Sequence, residues 1–77
     1  MNLKVTRLED GKTETSRVPL GLQIEWQEYE TSVERIAYAA WRMWHEAGWT
    51  STPDYKTFSW EIDVDIVGDD IDPKAQS

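Results

Sequence analysis

The chain has 77 residues, five tryptophans, no cysteine, and fifteen acidic against eight basic residues, for a formal charge of −7. That length allows one domain with a small core, and the missing thiols exclude disulfide staples, thiolate zinc sites and a cysteine nucleophile. The acidic balance argues against direct nucleic-acid binding, which needs clustered Lys and Arg.

No apolar run approaches the roughly 18 residues of a membrane span, and Met1 to Val5 leads into no signal-peptide core. A soluble, intracellular protein without a membrane partner is expected.

In chain order, residues 3–18 predict a β-hairpin. Leu3 to Leu8 alternates, Asp10-Gly11 supplies the turn, and Thr13 to Val18 returns, with one face solvated. A two-stranded ribbon is marginal in water, so helices should pack against it. Pro19 and Gly21 punctuate the exit. A short helix from about Leu20 to Tyr29 follows, burying Leu22, Trp26 and Tyr29 and turning Glu25, Gln27 and Glu28 outward.

Thr31-Ser32-Val33-Glu34 has the spacing of a capping box, in which hydroxyl and carboxylate satisfy free N–H groups reciprocally. The helix it opens carries an apolar stripe of Val33, Ile36, Ala37, Ala40, Trp41 and Trp44, with Arg42 and Glu46 as an i, i+4 pair. Gly48 ends it. Thr52 is the expected N-cap of a further helix with Pro53 in its first turn and Tyr55, Phe58 and Ile62 on one face. The run from Ile62 to Val67 alternates like a strand, which leaves the end of that helix open. The expected fold is α+β: an N-terminal hairpin packed on two or three short helices in a single domain, 1–68, followed by an acidic flexible tail, 69–77.

Enzyme constellations are missing. His45 is the sole histidine, so the paired histidines of a zincin cannot be supplied, and the four glycines are too scattered to cradle phosphate. Asp63 to Asp69 begins like a calcium loop, but Val67 and Lys74 stand where oxygen ligands are required. Glu25, Glu28 and Glu30 read as the exposed side of a helix rather than an acid–base pair. No catalytic, cofactor or metal residue is assigned.

The aromatic residues remain. Trp41, Trp44, Trp49 and Trp60 fall within 20 residues, joined by Tyr38, Tyr55 and Phe58. Such rings are enriched where proteins meet partners, and a chain this short has little interior to hide them. The candidate partner-binding residues are Trp44, Trp49, Phe58 and Trp60. Trp60 lies off the Tyr55/Phe58/Ile62 stripe and is the foremost exposed anchor.

Taken in order, these pieces resemble the tail assembly chaperones of long-tailed bacteriophages, particularly the small ones of phages infecting actinobacteria. The resemblance runs over residues 3–67. It is carried by the Asp-Gly hairpin, the aromatic helix entry Ile24-Glu25-Trp26, the Trp-rich helix from Ile36 to His45 closed by Glu46-Ala47-Gly48, and the Thr57-Phe58 motif leading to an acidic, Val-rich end. It implies a non-enzymatic protein of the host cell cytoplasm that coats the long, hydrophobic tape measure protein until tail tubes polymerise around it. It also implies a short form and a frameshifted, extended form, for which the codons of Pro73-Lys74 are a candidate slippery site.

A second class fits the composition: a small acidic phage-encoded inhibitor, of the anti-CRISPR or DNA-mimicking type, binding a basic host protein. It would require a continuous acidic stripe from Glu25 through Glu34 to Asp65. Self-association is a further expected outlet for surplus aromatic surface.

Overall fold

The computed structural model describes residues 1–68; the segment 69–77, expected to be an acidic flexible tail, lies outside the described residues. Within 1–68 the chain is α+β, with a three-stranded antiparallel sheet covered on one face by helices.

The hairpin forms as its alternation dictates. Strand β1 (Asn2–Arg7) turns Leu3 and Val5 into the core, at 0% and 1% exposure, and leaves Lys4 in solvent. Strand β2 (Thr13–Arg17) returns beside it with Leu3 opposite Ser16 and Val5 opposite Glu14. Gly11 takes the left-handed conformation that the turn needs, at φ 76°. Asp10 braces the same turn. Its carboxylate accepts from the Arg7 Nε and a terminal nitrogen at 3.0 and 2.7 Å, and from the Lys12 backbone N–H at 3.1 Å.

The ribbon does not stay two-stranded. The Ile62–Val67 run is strand β3, paired antiparallel to β1 on the side away from β2, with Arg7 opposite Ile62, Val5 opposite Val64 and Leu3 opposite Ile66. The sheet order is therefore β2-β1-β3, and the first strand of the chain is its centre. This third strand supplies the independent stability that a bare hairpin lacks.

Helix α1 (Leu20–Glu25) starts on the Pro19 carbonyl and tightens into a 3-10 turn (Trp26–Glu28), together burying Leu22 and Trp26. Helix α2 (Ser32–Glu46) is capped by Thr31, whose hydroxyl accepts the Glu34 N–H at 3.1 Å and donates to the Glu34 carboxylate at 3.3 Å. At its other end Gly48, at φ 81°, lets the Gly48 and Trp49 N–H groups return to the His45 and Trp44 carbonyls. That is a Schellman closure.

Two details depart from the sequence expectation. The last helix, α3 (Tyr55–Ser59), is capped by Asp54, not Thr52: the Asp54 carboxylate takes the Thr57 N–H at 2.8 Å. Thr52 is engaged elsewhere, donating to the Glu61 carboxylate and accepting the Trp41 indole N–H at 2.8 Å on its carbonyl. The apolar face of α2 is also displaced. Ala39, Ala40 and Trp44 are buried, whereas Val33 is 78% exposed. The face is broad because α2 packs on the sheet and also against α3 and the 3-10 turn; Tyr29, Tyr38 and Tyr55 join those elements through ring contacts of 4.9 to 6.0 Å.

A charged cluster ties α1 to α2. Arg42 pairs with Glu25 and with Glu46, and donates to the Tyr38 hydroxyl at 2.8 Å, which itself donates to Glu25 at 2.8 Å. The bonds to Glu46 first, then Tyr38, hold the Arg42 guanidinium firmly in its charged form.

Asp10 and Asp54 both sit below the ordinary carboxylate range, chiefly through the Arg7 side chain and the Thr57 N–H respectively. A carboxyl depressed by folding stabilises the native state above its unfolded pKa and loses that contribution as pH falls. The urea midpoint should therefore drop as pH falls through about 4, and the Asp10→Asn/Asp54→Asn double variant should show a lower midpoint at neutral pH and a shallower acid decline.

Candidate partner-binding surface

The four aromatic candidates part company in the folded chain. Trp44 is 1% exposed and Phe58 is 0% exposed, with ring centroids 5.8 Å apart. Both are core residues, and neither is available to a partner in this fold. The correction has a simple cause: α2 brings Trp44 over the inner face of the sheet, and the short α3 folds Phe58 back onto it.

Trp49 is half-buried. It meets Trp44 edge to face at 5.5 Å, the Lys12 ammonium lies 4.8 Å from its ring centroid, and its carbonyl accepts from Arg7 at 2.8 Å. These contacts tie the hairpin turn to the end of α2, so Trp49 has a structural role whatever else it touches. Trp60 is the exception. It is the C-cap of α3 and 87% exposed, and its indole N–H donates to no acceptor among the described residues.

Trp60 does not itself line the groove that its chain neighbours help to form. Ser59 before it and Ile62 after it line a shallow groove of about 270 Å³, whose other walls are Val33, Ile36 and Ala37 of α2 and Val64 of β3. Ile36 also lines a second depression of about 240 Å³ with Ile66, Met1, Trp26, Ser32 and Arg35. The two form one apolar seam along the junction of α2 and β3. Val33 and Ile66, at 78% and 58% exposure, project beside it.

Sequence reasoning found Trp60 from its helical phase but missed the rest of the seam. Val33 reads as core on periodicity alone, yet no described element covers it on the first turn of α2. The signal that could have located the groove was the alternation Ile62/Val64/Ile66 against Asp63/Asp65, which marks a strand with one apolar face.

The walls of the seam are mostly apolar, with Ser59, Ser32 and Arg35 among them, and among the described residues no group of three or more His, Cys, Asp or Glu is placed to hold a metal. His45 lies on the exposed last turn of α2 with its ring 5.3 Å from that of Trp41. No described helix is long and apolar enough to cross a membrane.

Comparison of the chain with protein-family models, curated proteins and solved structures returns no match.

Replacing a core ring and the exposed one should separate their roles. Phe58→Ala should cost about 3–5 kcal/mol and leave so small a domain largely unfolded. Trp60→Ala should change stability by no more than about 0.5 kcal/mol, as read by urea titration. Trp60→Phe should also remove the tryptophan emission most accessible to acrylamide.

Proposed function

We propose that this protein is a non-enzymatic chaperone of phage tail assembly, which binds the tape measure protein in the host cytoplasm and keeps it soluble during tail morphogenesis. The observation that carries the reading is the open, largely apolar seam, with the exposed Trp60 following its wall residue Ser59 in the chain. A large aromatic anchor next to a groove is the usual form of a binding hot spot, and contiguous exposed apolar surface on a soluble chain marks an interaction site. The net charge of −7 supports the same reading, since like charge keeps coated complexes from associating with one another. The resemblance of residues 3–67 to tail assembly chaperones supplies the client.

The inhibitor reading has less support. The acids it would align are separated: Glu25 is engaged by Arg42 and Tyr38, Glu34 caps α2, and Asp65 lies on the sheet opposite Lys4.

The test is co-expression with fragments of the tape measure protein. The soluble fraction of the fragments should rise with the wild-type chain and fall back with Trp60→Ala or Val33→Asp, both at exposed positions. Unchanged solubility at several-fold excess of the wild-type chain would overturn the reading.

A further inference from the structure

The outer edge of β3 offers more than apolar side chains. In an antiparallel pair, residues alternate between those that exchange hydrogen bonds with the neighbour and those whose N–H and C=O point away. The Leu8 N–H donates to the Glu61 carbonyl at 2.9 Å, which places that pair in the bonded phase. The register then puts Asp63, opposite Thr6, and Asp65, opposite Lys4, in the same phase. The opposite phase holds for β2, where the Arg7 N–H donates to Lys12 and the Val18 N–H to Met1, so odd residues of β1 bond to β2 and even ones to β3. The backbone groups of Ile62, Val64 and Ile66 therefore face outward, where no described strand pairs with them. The same three residues turn their side chains toward the seam.

We propose that this edge binds an extended segment of a partner polypeptide as a fourth strand, and that the segment alternates aliphatic residues with Lys or Arg. Main-chain bonds to Ile62, Val64 and Ile66 would hold it, its aliphatic residues would fill the seam against Val33, and its basic residues would lie beside Asp63 and Asp65. The charge pattern selects the partner. Asp63 and Asp65 are exposed on the outer sheet face, and β1, the strand already paired with β3, has the complementary order Leu3-Lys4-Val5 with Lys4 opposite Asp65. A second copy fits poorly. Antiparallel β3–β3 pairing with both aliphatic faces inward sets Asp63 against Asp65 of the other copy, and like charges directly opposite destabilise a pair. The β2 edge carries Glu14 and Ser16 on its inner face and offers no aliphatic complement. The proposal rests on the chaperone reading for its client but on the sheet edge for its chemistry.

Backbone amide exchange by NMR tests it on the full chain. In the free protein the Asp63 and Asp65 amides should exchange slowly and those of Ile62, Val64 and Ile66 fast. A capped Lys-Ile-Arg-Val-Lys-Ile peptide should slow the second group, and Glu-Ile-Glu-Val-Glu-Ile should not. Asp63→Lys/Asp65→Lys should weaken the basic peptide by about tenfold or more and admit the acidic one. Val64→Pro deletes one outward donor without touching the ladder to β1; it should abolish binding while the Asp63 and Asp65 amides stay protected. If that variant unfolds, the charge reversal decides. Equal binding of both peptides would overturn the proposal. So would binding of a helical Leu/Lys peptide without edge protection, or edge protection that rises with protein concentration alone. Loss of strand addition with tape measure solubilisation intact removes this inference alone; the converse removes the chaperone reading and leaves the edge chemistry standing.

Discussion

An indole can be excluded from water in so short a chain only if almost every element gives it a wall, and Trp44 is enclosed in that way. Phe58 packs on it from α3 and Trp49 meets it edge to face from the loop beyond α2. The Arg7 guanidinium lies 5.6 Å from its centroid, from the end of β1. Two of these neighbours are held by a second interaction. Arg7 is clamped by Asp10 and donates to the Trp49 carbonyl, and the Schellman closure at Gly48 sets where Trp49 begins. A short core surrounded by such braces needs no disulfide, which the cysteine-free chain could not form.

The same concentration of packing around Trp44 explains why the other end of α2 is open. Four indoles are wholly or partly absorbed between the sheet, α3 and the turns, and the aliphatic residues of the first turns of α2 are left facing β3 across a gap. The seam is the part of the α2–sheet junction that the core does not reach. Trp60 lies outside for a related reason: Phe58 takes the inward position of a helix only five residues long, and a residue two positions on, roughly 200° around the axis, points away.

Local chemistry was readable from the sequence, and pairing between distant segments was not. The Asp10-Gly11 turn, the Thr31 cap and the Gly48 stop each depend on a few adjacent residues, and all three appear where expected. The strand-like alternation of Ile62 to Val67 was also visible, but its place beside β1 was not, because Asn2 and Val67 meet only through the fold. The choice of Asp54 over Thr52 turned on Thr52 being claimed by Glu61 and Trp41, partners remote in sequence. Of the candidate site, Trp60 was legible from phase, whereas Trp44 and Phe58 were misplaced because aromatic density does not reveal which rings face each other.

The central position of β1 carries a consequence for how the molecule comes into being. Strand β1 has to wait for β3, the last of the described strands in chain order, before its second neighbour exists, since β3 pairs with it along its whole length. Closing so long a loop is the slow, entropically costly event in reaching such topologies. Until it happens, Leu3 and Val5 have a partner on one side alone, and neither the seam nor the open edge has been formed. The apolar seam and the unpaired strand edge therefore come into being in the same step that completes the sheet, not with the hairpin that precedes it.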